Sequence, residues 1–269
     1  MNRKKNIISQ HFDKKVESID YTNDNSLGSN NENILLREPY IHIEKIISEY
    51  KNDKIKVLDY CCGTGNFSIY PALQGHKVFG IDISNKSVEI AKKKIKHFNL
   101  NNCNFYHMDS ENINFDDNFF DLILCYNSLT YLDLPIALNN LKRVLKPNGK
   151  LIIMDSLGHN IFYNINRKIN VSRWGKNLQS EFRLMKMKDI IFFEKYFLKS
   201  EIKYFGFLCS ILYFLNIKLN FPIHRSISAM CIRLDNFILN LPFTYFLAFK
   251  FVAVFHLKEK NRKIFLKYR

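Results

Sequence analysis

The feature that most constrains this chain is Val57 to Ile69, VLDYCCGTGNFSI: a short apolar run closing on Asp59, a Cys61-Cys62-Gly63-Thr64-Gly65 turn, then the opening of a helix. Glycines at 63 and 65 permit a sharp bend and let the backbone approach a ligand with no Cβ in the way. An acid at the end of the run, just before such a turn, suits a ligand carrying positive charge better than a pyrophosphate.

Downstream, apolar runs bounded by turn residues alternate with helical patterns. Strands are expected at Lys56 to Tyr60, Lys77 to Ile81, Asn104 to His107, Phe120 to Tyr126 and Lys150 to Asp155. Helices are expected at Phe67 to Leu73, Ser87 to Phe98 and Pro135 to Leu145, with Pro71 fitting only near the start of the first. This order implies a parallel sheet with helices on both faces and ligands at the carboxyl ends of the strands. Upstream, Ile34 to Tyr50 patterns as a helix beginning near Pro39, and residues 1–33 read as a flexible polar cap.

Four consecutive strand ends, Asp59, Asp82, Asp109 and Cys125, present acceptors or tight backbone to one crevice. Asp82 stands about where an acid takes both ribose hydroxyls. Asp109 is placed to accept from an adenine amino group, with Met108 adding apolar contact. Taken singly, each acid has a plainer role: Asp59 and Asp82 as helix caps and Asp109 as an Asx turn. Three such acids in register with a glycine turn are not something packing requires. A dinucleotide would want a third glycine or an alanine at position 68, where Ser68 stands, and would leave Asp59 and Asp109 without a role.

From about Ile55 to Asp155 the chain resembles class I S-adenosylmethionine (SAM)-dependent methyltransferases with a methyltransferase 11 type domain. The resemblance rests on VLDYCCGTG, VFGIDIS, HMDSENINF, FDLILCYNSLTYL and LKRVLKPNGKLIIMD, in that order. It implies a Rossmann-like α/β fold: a mostly parallel seven-stranded sheet with a C-terminal helical insertion. The implied cofactor is SAM. Asp59, Tyr60 and the Cys61, Cys62, Gly63 and Gly65 backbone would hold its methionine end, Asp82 its ribose and Ile83 its adenine. Met108, Asp109 and Ser110 would meet the adenine edge, and Cys125 with Tyr126 would complete the methionine pocket. Cys61 replaces the family's first loop glycine, Asn148 another glycine, and Tyr131 stands where many relatives carry histidine.

Tyr126 and Tyr131 are expected to line the acceptor pocket, with Tyr131 a second catalytic candidate. His159, in the loop after the fifth strand, is the candidate base; a helix cap or a solvent-facing position is its plainer role. Trp174, the only tryptophan, joins the acceptor side as a candidate. The organisation expected is an N-terminal cap over 1–50, a SAM-binding core over 51–157 and an acceptor-side region over 158–269. In that last region Asp189 to Phe197 reads as a helix, and Glu201 to Phe207 and Lys250 to Lys258 as strands six and seven.

Between those strands Ile223, Ile227, Met230, Cys231, Leu234, Phe237, Ile238 and Leu241 recur at helical spacing, with Arg225, Arg233, Asp235 and Asn236 elsewhere on the helix. Two readings stand: a lid packed on the core, or a surface lying on a membrane. The formal charge of +15 fits a polyanionic partner or simply a Lys-, Asn- and Ile-rich, AT-biased composition, under which Lys93, Lys94 and Lys96 form a solvated helix face. Six cysteines without C-x-x-C spacing and a polar start at Met1 to Gln10 predict a cytoplasmic setting, with peripheral attachment to the inner membrane face under the second reading. Neither Phe205 to Ile217 nor Leu241 to Phe255 offers the roughly 20 apolar residues of a membrane span.

The expected function is methyl transfer to a small or lipid-linked acceptor such as a quinone precursor, glycolipid or sugar, with no metal. Nucleic-acid methylation is the alternative, though Tyr126-Asn127-Ser128-Leu129 lacks the Asn-Pro-Pro-aromatic motif of amino-directed enzymes. Noncatalytic SAM binding is the other.

Overall fold

Strands buried on both faces of a sheet need apolar residues at successive positions rather than alternate ones. Val57 and Leu58 in β1 (Lys56–Tyr60) and Leu122 to Cys125 in β4 (Phe120–Tyr126) meet that condition, all fully buried. The computed structural model describes residues 3–22, 33–50, 53–161, 164–165, 184–219 and 224–258. Around those two strands lie β2 (Lys77–Asp82), β3 (Cys103–His107), β5 (Leu145–Ser156), β6 (Phe197–Phe205) and β7 (Lys250–Leu257). The sheet runs β3-β2-β1-β4-β5-β7-β6, and β7 alone runs against the direction of the other six strands. This is the expected Rossmann-like class I arrangement, its strand order reversing at β1 and β4.

The helices are α1 (Arg3–Lys15), α2 (Ile34–Ser48), α3 (Ile69–Leu73), α4 (Asn85–His97), α5 (Leu134–Val144), α6 (Met187–Glu194), α7 (Leu208–Leu219) and α8 (Arg225–Ile238). One sheet face is covered by α2, α3 and α4 through Tyr40, Ile43, Ile47, Ala72, Val88 and Ala91. The other is covered by α5 and α6 through Leu134, Leu138, Leu141, Ile190 and Phe193. Each such fully buried Leu, Ile or Phe contributes about 1.5–3 kcal/mol.

Several expected boundaries move, each for a local reason. Helix α2 begins at Ile34, five residues before Pro39, because the Asn33 side chain accepts from the Leu35 amide at 3.0 Å and caps it there. Helix α3 begins at Ile69 rather than Phe67, which puts Pro71 in its first turn, where a missing N–H costs no helical bond. Strand β5 reaches back to Leu145, with a register irregularity between Phe120 and Leu122 on β4. A Cβ at Gly149 would lie 3.0 Å from the Asp121 carbonyl oxygen. Helix α6 starts at Met187 because the Asp189 carboxylate accepts from the Lys186 amide at 2.8 Å, and β6 then starts at Phe197.

Three departures are larger. The stretch expected to be a flexible cap contains α1, whose Ile8 and the following Val16 are buried. Lys94, expected on a solvated face, is 2% exposed and donates to the Asn66 side-chain oxygen. Its apolar and small neighbours on α4, Ser87, Val88 and Ala91, share that inward face, and burial lowers the Lys94 pKa to about 8. Asp235, expected on the outer surface of α8, is buried and accepts from the Leu208 and Cys209 amides at 2.6 and 3.1 Å. It thereby caps α7, and burial raises its pKa against those bonds.

Candidate active site

The glycine turn after β1 is built by backbone. Gly63 and Gly65 sit at φ +52° and +76°, where side-chain-bearing residues are disfavoured. A Cβ on Gly65 would press on Phe105 at 3.0 Å and Ala91 at 3.1 Å, whereas one on Gly63 would meet nothing, so open space lies before that peptide. Cys61, in the family's glycine position, adopts φ +61° and lies 3.0 Å from the Ser110 hydroxyl.

The acids then divide. Asp82, at the end of β2, accepts from Gly63 N at 2.8 Å with Oδ2 and from Ser84 N at 2.9 Å with Oδ1. A carboxylate has about four acceptor sites, so two remain for a ligand. Burial raises its pKa, opposed by the bonds from Ser84 and Gly63. Asp109 forms the Asx turn through Glu111 N at 2.9 Å and turns Oδ2 to Lys5 of α1 at 2.6 Å. Burial pulls the Lys5 pKa down, but the bonds to Asp109 and Glu111 outweigh it and the pKa rises. Asp59 stands one layer back: it is 1% exposed, accepts from the Ser68 hydroxyl at 2.7 Å, and burial raises its pKa to about 7.

In front of these groups is a cavity of about 330 Å³. Of the expected residues it is lined by Cys61, Cys62, Gly63, Asp82, Ile83, Asp109, Ser110, Tyr126 and Tyr131. Its outer wall is α1 and the turn after it, through Lys5, Ile8, Phe12, Lys15, Val16 and Ile19. Helix α1 is tied down by Lys5 to Asp109 and Glu111, by Ser9 Oγ donating to Ile83 O at 3.1 Å, and by Asp13 accepting from Ser84 Oγ at 2.6 Å. Phe12 meets the Tyr131 ring edge-on at 5.3 Å between centroids. Beyond Tyr131 and Leu132 the cavity adjoins an open cleft bounded by the starts of α5 and α6.

A family model described as "Methyltransferase domain" matches residues 57–149, the span from β1 to the entry of β5. This part of the chain is a class I, SAM-dependent methyltransferase domain.

A demethylmenaquinone methyltransferase of Staphylococcus haemolyticus is 37% identical over 105 residues, 38% of this chain and 43% of that protein. One of Listeria monocytogenes is 31% identical over 153 residues, 55% and 58% of the two chains. The chain thus spans about half the length of the curated relatives it matches. Among solved structures, a geranyl diphosphate C-methyltransferase from Streptomyces coelicolor aligns over 96% of this chain and 99% of its own, with TM-score 0.63 and 11% identity. The PH0226 protein of Pyrococcus horikoshii aligns over 91% and 99%, with TM-score 0.59 and 19% identity. At those identities the likeness is one of fold.

Other candidates of the methyltransferase domain and its flanks lie off the cavity wall. The Tyr60 hydroxyl donates to Ser110 O at 2.5 Å, and Cys125 packs beneath with Sγ 3.1 Å from the Ser128 hydroxyl. The Met108 sulfur accepts from Asn114 N, and Gly65 faces Phe105. His159 points elsewhere: Nε2 accepts the Met187 amide at 3.3 Å and the ring stands edge-on to Tyr245. Its contacts hold the start of α6 rather than a reacting group. Trp174 lies outside the described residues.

Sequence reasoning passed over the α1 wall and Asn66, Phe67 and Asn127 beside the turn and β4. The four-residue spacing of Ile8, Phe12 and Val16 was the available signal for α1. Among the described residues no cluster of His, Cys, Asp and Glu has the makings of a metal site, and all six cysteines are free.

Proposed function

We propose that this chain is a SAM-dependent methyltransferase acting on a small, largely apolar acceptor of the quinone-precursor kind. The observation that carries the reading is Asp82, which braces the glycine turn from below while keeping acceptor sites free at the cavity wall. In this reading the Gly63 peptide meets the methionine end, Asp82 takes the ribose diol, Ile83 packs on the adenine, and Asp109 with Ser110 meets its amino edge. Tyr126 and Tyr131 flank the acceptor. SAM supplies an activated methyl group on a sulfonium, displaced in line with a neutral thioether leaving. The residues of the chain then have mainly to hold acceptor and methyl in line, a contribution of up to about 7–11 kcal/mol. A phenolic acceptor brings its own ionisable oxygen, so a dedicated base is not required of His159. The naming of relatives as demethylmenaquinone methyltransferases supports this acceptor class over sugars.

The acceptor class also suits a peripheral membrane surface. With Asp235 turned inward to cap α7, the opposite face of α8 points out, and Ile227, Met230, Leu234 and Phe237 on it are all exposed. Leu241, Phe243 and Phe246 continue the patch, and Arg225 and Arg233 lie on the same helix. No helix among the described residues is long and apolar enough to cross a membrane. The patch and the net charge of +15 fit the interface of an anionic bilayer.

Transfer of tritiated methyl groups into fractionated lipid, sugar and RNA pools is the direct test. Label in lipid is expected; label in RNA transfers the reading to nucleic acid, and binding without label leaves a noncatalytic binder. Co-sedimentation with anionic liposomes, lost on Phe237→Glu, tests the surface. No sedimentation of the parent chain at low salt removes it.

A further inference from the structure

A lysine ammonium lies at the end of the sheet where packing alone would place another valine. Lys250 opens β7, ahead of Val252 and Val254 on the same strand face, and is 2% exposed. Isolating an ammonium from water costs several kcal/mol unless partners compensate it. Its partners are specific: Nζ donates to Asn127 Oδ1 at 2.5 Å and to Ser156 Oγ at 3.2 Å, and Asp155 supplies the nearby opposite charge. Burial lowers the Lys250 pKa to about 8 against the pull of Asp155, and burial raises that of Asp155 to about 6 against the pull of Lys250.

Asn127 is where this cluster meets the cavity. It follows β4 directly, lines the cavity beside Tyr126, and is locked at φ +50° by its amide donating to Met154 O at 2.8 Å. A lysine can only donate, so the side-chain atom facing it must be the oxygen, and the amide nitrogen must face away. Among the described residues that nitrogen has no acceptor. Two donor hydrogens are therefore held in a fixed direction in a half-buried site at the end of β4, with a positive charge behind them.

We propose that Asn127 binds the acceptor, its amide nitrogen donating to the acceptor's phenolic oxygen, and that Lys250 is the positioning residue that fixes this orientation. The inference rests on the methyltransferase reading above and adds to it the group that recognises the acceptor. A phenolic oxygen gains negative charge as it ionises, and a fixed donor backed by an ammonium favours that form.

The probe is 1,4-naphthohydroquinone, kept reduced under anaerobic conditions, with methyl transfer from SAM as one readout. Calorimetric binding of S-adenosylhomocysteine is the other. Asn127→Asp keeps size and gives Lys250 a carboxylate, so the fold is retained while the donor is lost. Its kcat/KM is expected to fall about 10- to 100-fold, with nucleoside affinity within about threefold of the parent. Lys250→Met should lower turnover about tenfold with the same unchanged nucleoside affinity, and Lys250→Arg should recover part of it.

Asn127→Asp turning over like the parent would overturn the assignment. So would an equal loss of nucleoside affinity, which would make Asn127 a cofactor ligand. A parent chain that binds the nucleoside but leaves the hydroquinone unmethylated overturns the acceptor class. One that does not bind the nucleoside at all overturns the methyltransferase reading itself.

Discussion

Replacing Asp82 by alanine removes a bracing group and a ligand contact at once. The carboxylate accepts from Gly63 N at 2.8 Å and Ser84 N at 2.9 Å, and hydrogen bonds to an ionised acceptor are worth about 1.5–3 kcal/mol each. Ser84 is fully buried, so its amide loses its acceptor outright, while Gly63 is half-exposed and regains water. Adding the lost ribose acceptors, nucleoside binding should weaken by about 2–4 kcal/mol, or roughly 30- to 700-fold. Asp82→Asn retains one carbonyl acceptor and should lose about tenfold. Calorimetric titration with S-adenosylhomocysteine measures both, and thermal melting without ligand separates a misfolded turn from a lost contact. An alanine variant that binds within about threefold of the parent would refute the reasoning, because the group said to hold both turn and ribose would then hold neither.

Asp59 gives a prediction in pH. Its folded pKa of about 7 lies above the ordinary carboxylate value, so between about pH 4 and 7 the native state holds a proton that the unfolded chain has released. Stability from this group is therefore greatest at low pH, falls as pH rises through that window, and stays reduced above it. Asp59→Asn keeps an acceptor for Ser68 and should raise stability at pH 8 by up to about 4 kcal/mol, with no gain near pH 4, measured by urea unfolding. In β2, a Cβ on Gly80 would stand 2.3 Å from Phe105 Cδ1 and 3.0 Å from the Cys62 sulfur. Gly80→Ala should cost about 1–3 kcal/mol in the same assay, and Phe105→Leu should relieve part of that cost.

The parallel core was legible because β1 and β4 are buried on both sides and so announce themselves as apolar runs ending at turn residues; both fall where expected. The Asp82 placement followed from its position at a strand end. What could not be read were partners far apart in sequence. Lys5 and Asp109 are 104 residues apart, so nothing local to α1 says that it closes a cavity. Asp59 has the same strand-end position as Asp82, yet Ser68 engages it from nine residues on, and it stands behind the wall. His159 is drawn off by an amide from 28 residues downstream. The stripe on α8 was legible as a face but not in its direction, which Asp235 sets by capping a different helix.

Helix α1 has a consequence for the pace of repeated cycles. Lys5, Ile8, Phe12 and Val16 form one wall of the cavity, so a nucleoside leaving on that side has to displace α1. The ties to Asp109, Glu111, Ile83 and Ser84 have to break first. Two of them are part-buried ion pairs of Lys5, which salt screens less than it would exposed ones. A nucleoside released on this side would leave at the pace at which those contacts open.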